Sequence, residues 1–590
     1  MYLAAAVIAA VCVGERTAEA RLTVTLTPLN PPGYPVGATL FFRASAEGTD
    51  PHVYRFRVGP SGSSLRVVRD FAPRTHLDWT PLDDGPLDVE VTARNLVTGD
   101  AASATTTYQV SSRITAGVPV VAPTLHPLVA LYSAPPCTAG SIRVRFAPQG
   151  GGREQFTPFK PCIAGRSVNF HVAGLYGDTA YDMRSELVNA GTTFGPALTY
   201  RTPVVTTPMP LTVVVDPLED PANASQETVL HSMIMSTAQR TFPMATDSAG
   251  RVLWYYDKTM YPWQTGANLL RPLPGGNMLF AMNDYGLQWQ LLREIDVAGN
   301  SVRETTVPRI NEQLAALGHD PITAVHHDAL PLPNGRLLVL ASVERILTDV
   351  QGPGPVDVLG DMLLELDDDW QVTWVWNAFD HLDASRRALL NETCTGPSDG
   401  CRPLNLATQA NDWLHSNSIT YSPADGNALL SVRHQDWIIK IDYRDGGGTG
   451  AVLWRLGKDG DFTLAGHPNG WFSHQHDVNF VDSNALLLYD NGNVRCAPMP
   501  ALCQSRGQII EFDEANRTAF LRMNTGLGHY AALMGSAQRM ANGNFHFGSG
   551  WVYPGPHSEA LEFTPQGTRV FSLAVPVAYR SYRMRDMYTP

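Results

Sequence analysis

Three stretches of this chain can be laid over one another, and each opens on a histidine. His327 heads HDALPLPNGRLLVL, His476 heads HDVNFVDSNALLLY without a gap, and His415 heads HSNSITYSPADGNALLSV with a longer turn. Each reads as a polar residue, a short apolar strand, a turn at Asn-Gly, Ser-Asn or Asp-Gly, and a second strand. A second motif alternates with these hairpins from about residue 225 onward. It runs apolar strand, acid or turn residue, tight turn and apolar strand, often with a tryptophan. Its six copies are FPMATDSAGRVLWYYD, LLREIDVAGNSVRETTV, MLLELDDDWQVTWVWN, IIKIDYRDGGGTGAVLWRLG, QIIEFDEANRTAFLRMN and ALEFTPQGTRVFSLAV. Two hairpins per repeat make four strands per repeat, and such a unit buries its apolar faces only by stacking on its neighbours. Six repeats predict a six-bladed β-propeller over residues 225–590.

The region before the repeats is also strand-like. A chain of 590 residues is too long for one core. Fifty glycines and 44 prolines, with only 17% charged residues, suit an all-β protein with many turns. Residues 21–115 alternate short strands with turns (RLTVTLTPL, ATLFFRASAE, HVYRFRVGP) and predict an immunoglobulin-like sandwich. Residues 116–205 repeat the style and predict a second, fibronectin-like sandwich. Residues 206–224 are rich in Pro and Thr and read as a linker.

The net charge is −13 and no long Lys/Arg run occurs, which argues against a nucleic-acid or anionic-membrane partner. Residues 1–20 read as a secretory signal peptide. The apolar run Leu3–Val13 is too short to span a bilayer, and Ala18-Glu19-Ala20 fits the small-x-small cleavage pattern. Export without stable membrane insertion follows. The cysteines agree with it. Setting Cys12 aside with the signal, six remain as close pairs: Cys137 with Cys162, Cys394 with Cys401, and Cys496 with Cys503. Three disulfides are expected.

Residues at the start of a propeller's innermost strands face the central axis. His327, His415 and His476 hold that position in three consecutive blades, Asn268 holds it in the first and Gly535 in the fifth. The mouth is expected to be polar on one side and open on the other. Arg433, Asn417 and His474 lie close to the histidines in sequence. By strand alternation, His326 and His434 should point away from His327 and Arg433, and Gln475 away from His476. Three histidines and an arginine can hold a transition metal, or they can handle an oxyanion with one imidazole as nucleophile. Arg433 favours the anion, because a guanidinium beside a divalent cation costs Coulomb energy, whereas beside sulfate or phosphate it forms a bidentate bond. Asn417 is a further neutral donor. No metal and no cofactor are expected.

The strings DWLHSNSI, SVRHQDWIIKID, VLWRLGKDGDFT, SHQHDVNF and LLLYDNGN together resemble the bacterial arylsulfate sulfotransferase family. The resemblance implies a six-bladed propeller behind a β-sandwich, secretion to the periplasm, and transfer of a sulfuryl group from an aryl sulfate to a phenol without a nucleotide donor. It implies that His476 is the nucleophile, forming a sulfohistidine, and that His415 and Arg433 bind the sulfuryl group. Asn417 and Asn268 are candidate substrate-binding residues, and His327 a candidate acid or base at the phenolic oxygen. Asp477 follows the nucleophile where the best-known members carry an uncharged residue. The alternatives are an aryl sulfate hydrolase of the same fold and a non-catalytic propeller that binds sulfated ligands.

Overall fold

In the computed structural model, the described residues are 22–590 without 208, 210–211, 215–219, 236–240, 257–263, 285–288, 396–400 and 467–469. The signal-peptide segment and Cys12 lie outside them. The fold is nearly all β, and its longest helix is the eleven-residue Val307–Leu317.

Residues 24–110 form two sheets, Val24–Pro28, Leu40–Ala46 and His76–Trp79 on one side and Arg66–Ala72, His52–Pro60, Gly85–Asn95 and Ala101–Val110 on the other. Alternation sends Leu40, Phe42, Phe56, Val58, Val89 and Val91 into a shared core. Residues 120–201 form a second pair of sheets around Tyr132, Phe146, Phe170 and Tyr181.

Six sheets follow, and five of them are built on antiparallel meanders opened by Gln264–Pro272, Ile322–Pro331, Ser416–Ser422, His476–Asp482 and Ala531–Arg539. The first runs on into the sandwich sheet, Ser301–Thr306 pairing in parallel with Arg66–Ala72, and the second and fourth each gain a short parallel strand. The sixth is assembled from both sides of this region. Ser581–Met584 pairs with Thr228–Met235, which pairs in turn with Thr241–Thr246 and Val252–Tyr255. The six outer hairpins are the six copies of the second sequence motif. Its recurrent acid closes the turn: Asp247, Asp296 and Asp367 each accept, through Oδ1, backbone N–H groups two and four residues ahead. Val213–Val214, inside the expected linker, adds to the edge of the fifth sheet by pairing with Ala574 and Leu573.

The opening strands of successive sheets pack side by side, 264–272 on 322–331, then 416–422, 476–482 and 531–539, and finally 581–584. No backbone ladder joins them. Buried N–H groups on their facing edges therefore need acceptors from side chains. Ile419 N donates to Asp328 Oδ2 (2.9 Å), Val478 N to Ser418 Oγ (3.0 Å), Ala537 N to Asp477 Oδ2 (2.9 Å) and Ser581 N to Ser536 Oγ (3.1 Å). Arg271 reaches Asp328 from the first sheet at 2.8 Å. The acid that follows the histidine in two of the three aligned repeats is thus a clamp between neighbouring sheets.

Asp477→Ala should leave the Ala537 N–H buried without an acceptor and cost ~1–3 kcal/mol. Asp477→Asn keeps an acceptor oxygen and should cost clearly less. Urea denaturation of the two variants checks the order, and equal losses would contradict the clamp.

Candidate active site

Each opening strand that carries a site residue is bulged. Val325 pairs with Ala341 and Ala329 with Val339, so His326, His327 and Asp328 together face Leu340. Asn417 is the extra residue between Ser416 and Ser418, and Asp477 and Val478 are looped out after His476. Bulges re-aim side chains, and here they also place His327 (φ 58°), His415 (φ 51°) and Asp477 (φ 52°) in the left-handed region. The consequence is convergence. The rings of His327 and His415 lie 5.0 Å apart, His415 and His434 4.6 Å, and His434 and His474 5.6 Å.

The bulges also overturn the alternation argument. His326 does not point away from His327: their Nδ1 atoms are 2.6 Å apart, and His326 Nε2 faces Asp361 at 3.2 Å. Residues 433–435 are a 3-10 turn and not strand, so Arg433 Nη1 meets His434 Nε2 at 2.5 Å. Gln475 does turn away from His476, with its amide on Ser431, Val432 and Trp437 of the preceding sheet. Nor does Gly535 open the site. A Cβ there would stand 2.5 Å from the Tyr489 ring, so the glycine is needed to seat that tyrosine.

His476 is fully buried. Its Nδ1 lies 2.7 Å from Asn491 Oδ1. The Asn491 amide nitrogen donates to Ala531 O (2.7 Å) and Met534 O (3.1 Å), which fixes the oxygen toward the histidine. An amide oxygen only accepts, so Nδ1 carries the proton and Nε2 keeps its lone pair. That Nε2 has no hydrogen-bond partner, and neither do the buried Tyr579 Oη, Asn417 Oδ1 and Arg433 Nε. Orphaned polar atoms gathered in one place mark a ligand site. Tyr579 stands between His327 and His476, its ring centroid 5.4 Å from one and 6.3 Å from the other.

Arg433 is 6% exposed and donates through Nη2 to Ala532 O at 3.0 Å. His415 faces Asp412 Oδ2 at 2.5 Å, and Arg402 Nη1 lies 3.5 Å from the same Nδ1. Asn417 is buried and spends one amide hydrogen on Gln475 O (2.7 Å). Asn268 lies in the strand 264–272 opposite Ala281, and its buried Oδ1 is unpaired. His474 is held between Glu392 (2.5 Å) and Asp436 (3.0 Å) rather than beside His476. Arg580, fully buried, has Nη1 3.9 Å from Asp328 and 3.8 Å from Asp477. Burial opposes its charge, but Tyr582, Tyr579, Asp477 and Asp328 outweigh burial and hold the guanidinium protonated. Tyr579, Arg580, Asn491, Arg402 and Glu392 were invisible to the repeat argument, because none heads a repeated strand. Asn491 did stand in a string already in view, LLLYDNGN.

Burial is the first cause that lowers the pKa of His327, His415, His434 and His476 well below 6.5, with Arg433 adding to it at His415 and His476. The imidazoles are therefore neutral at pH 7. Two overlapping groups could hold a metal ion: Glu392, His434 and His474, and Asp412, His415 and His434, each with ligand atoms within 4.8 Å of one another. A third groups Asp412 with Cys394 and Cys401, whose sulfurs are bonded to each other. Arg433 occupies His434 Nε2, so a cation on either histidine group would displace or face a guanidinium.

All three expected disulfides are present, Cys137–Cys162, Cys394–Cys401 and Cys496–Cys503. Among the described residues no helix is long and apolar enough to cross a membrane.

An all-β chain with a dry pocket of neutral imidazoles, guanidiniums and a tyrosine defines a protein that handles a small anion. Residues 213–583 match the arylsulfotransferase (ASST) family, and the chain belongs to it. It is similar to arylsulfate sulfotransferase AssT of Escherichia coli O6:H1, with 23% identity over 369 residues, 52% of this chain and 57% of that protein. Among solved structures, a two-domain fibronectin type-III segment of chicken tenascin aligns with 30% of this chain and 98% of its own at 16% identity and a TM-score of 0.14. A marsupial T cell receptor aligns with 58% and 99% at 10% identity and a TM-score of 0.14. At those scores neither bears on the fold.

The depressed histidines set an acid limit on stability. Above pH 6.5 folded and unfolded chains both hold them neutral, so they contribute no pH dependence. Below it the unfolded chain takes up protons that the buried imidazoles refuse, and stability falls by up to ~1.4 kcal/mol per pH unit for each such histidine. His434 and His476, at 2% and 0% exposure, should contribute most. The urea midpoint should fall from pH 7 to pH 5; a flat midpoint would mean that the imidazoles accept protons in place.

Proposed function

We propose that the protein is a nucleotide-independent arylsulfate sulfotransferase that works by a ping-pong mechanism through a sulfohistidine at His476. The observation that carries this reading is the tautomer lock: Asn491 holds the proton on Nδ1 and leaves a bare lone pair on Nε2. A neutral, desolvated imidazole is a good nucleophile near pH 7. In the first half-reaction Nε2 attacks sulfur, the N–S bond forms and the S–O(aryl) bond breaks, and the phenolate leaves. The Nδ1–H, now more acidic, stays on the Asn491 oxygen. In the second half an acceptor phenol gives its proton to His327 as its oxygen attacks sulfur and frees Nε2. His327, a weak base in this buried setting, releases that proton to solvent, so that the enzyme returns to its starting state.

Three sulfuryl oxygens need fixed donors. Arg433 supplies them, with Asn417 contributing its second amide hydrogen. His415, whose Nδ1–H faces Asp412, donates from Nε2 as the imidazolium that a bound sulfuryl anion favours. His327 and Tyr579, with ring centroids 5.4 Å apart, would meet the phenolic oxygen, and Asn268 is a further candidate for binding the substrate. The six sheets are then the blades of a six-bladed propeller spanning residues 225–590, closed by the strand 581–584. Two sandwiches, 21–115 and 116–205, precede it, with 206–224 as connection. Disulfides and the leader-like first 20 residues support export to the periplasm. The substrates are small phenols and aryl sulfates, and the site chemistry calls for no cofactor.

The purified chain should release 4-nitrophenol from 4-nitrophenyl sulfate, with a sulfated acceptor appearing when phenol is added. Sulfate in its place would make the protein a hydrolase, and no turnover a binding protein. Without acceptor, one sulfuryl group per chain and a burst of 4-nitrophenol are expected, both absent in His476→Ala. An adduct on His415 would sink the assignment of the nucleophile.

Asn491→Ala should free the imidazole to take either tautomer and lose a hydrogen bond that strengthens as charge develops. A loss of ~1–2 kcal/mol corresponds to roughly a 5- to 30-fold fall in kcat. KM for the aryl sulfate should change little, since Asn491 is on the far side of the ring from the donor. A change in KM alone would assign Asn491 to binding.

A further inference from the structure

Behind the segments that carry His415 and Arg433 lies a cavity of about 160 Å³. Trp413 and Leu414, the two residues before His415, form one wall. Trp437, four residues after Arg433, forms another, and Leu382, Arg386 and Arg455 complete it. Its volume matches that of an engineered cavity of ~150 Å³ that holds one benzene ring.

The walls are unusual for an empty gap. The Arg386 guanidinium lies 3.9 Å from the centroid of Trp437. It donates to the side-chain and backbone oxygens of Gln435, at 2.6 and 3.3 Å, and forms no ion pair among the described residues. A half-buried guanidinium without a carboxylate is an open anion site with its aromatic partner already in place. Trp413 is 1% exposed, and its Nε1 has no hydrogen-bond partner. Arg455 adds a second cation, shared with Asp461 at 3.6 Å. The opposing charges are Asp459 and Asp436, which act on Arg386 from a distance, and Asp383 at the rim. Asp383 is exposed, and one oxygen is taken by the Ser385 N–H at 2.9 Å.

We propose that this cavity is a second binding site, for a single aromatic ring bearing an anionic group, with the ring between Trp413 and Trp437 and the anion on Arg386. It is separate from the histidine pocket yet shares its backbone. Gln435, which Arg386 grips, donates to Trp413 O at 2.8 Å, and so ties the segment before His415 to the turn that holds Arg433. An occupant that pulls on Arg386 would be felt at both sulfuryl-binding residues.

Benzenesulfonate is a suitable probe, because its sulfur is bonded to carbon and it has no aryl ester to cleave. Calorimetric titration of the full chain as Arg433→Met removes binding through the histidine pocket. Saturable one-site binding should remain there, and it should weaken at least tenfold in Arg433→Met/Arg386→Met, with near-ultraviolet circular dichroism checking that both variants are folded. Adding Lys in place of Met at 386 should restore part of the affinity. Binding by wild type that vanishes in Arg433→Met, or equal affinity in the double variant, would overturn the site. Neither result touches the sulfuryl reading, which stands on turnover through His476.

Discussion

Backbone N–H groups on the facing edges of six opening strands dictate much of this structure. A strand inside a sheet satisfies its edges by pairing, but these strands have a neighbour on one edge only. On the other edge they meet the opening strand of the next sheet at a distance too great for a ladder. Water cannot serve them, because the contact is buried. Asp328, Ser418, Asp477 and Ser536 therefore reach across, one per junction, each accepting a single N–H. Gln538 of the fifth sheet does the same for Arg583 at the closing sheet, beside Ser536. Two of the acceptors are carboxylates, and buried carboxylates need counter-charges. Arg271 and Arg580 provide them. A scaffold requirement has thereby placed a permanent guanidinium beside His476.

The same requirement accounts for the bulges. A side chain that turns outward to accept an N–H from the next sheet cannot lie flat in its own ladder, so the strand loops out around it. Residues 326–328 and 477–478 are those loops. Once the acid has taken the lateral position, the histidine beside it is the residue free to face inward. Clamp and catalytic side chain are neighbours because one local distortion serves both. The histidines are then buried, with several of the polar atoms around them left without a partner. Their low proton affinity is a consequence of that burial more than of any single neighbour.

This shows how far the sequence could be read. The hairpin repeats located the antiparallel hairpins of the five meanders and the outer hairpin of the closing sheet, because turn chemistry and apolar alternation are local, but not the pairing of 581–584 with 228–235. It also put His327, His415 and His476 in register, and they do converge. The reading went wrong where it assumed regular strands. Alternation sent His326 and His434 to the opposite face, and only the bulge and the 3-10 turn, which depend on contacts with another sheet, bring them back. The repeated Asp was in view from the start and was taken for a departure at Asp477, when its recurrence at Asp328 marked it as structural. Tyr579 and Arg580 could not be found by register, since they precede the strand that closes the last sheet.

The insert between the second and third sheets carries most of what distinguishes this site from its bare repeat. Residues 378–412 leave the second sheet after Val372–Asn377 and return as Ala410–Asp412, which pairs in parallel with Val358 and Leu359 and antiparallel with Thr393–Cys394. On that short patch stand Glu392, against His474, and Asp412, against His415, with Arg402 bridging Asp412 and His415. A loop of this length, tethered by two-residue strands, has little core of its own. The Cys394–Cys401 bond, buried against Leu359 and Ala410, supplies a fixed point two residues from Glu392, His474's partner, at one end and one residue from Arg402 at the other. The charges that orient His415 are thus held by a covalent brace and by the short pairing of Ala410–Asp412 with the second sheet.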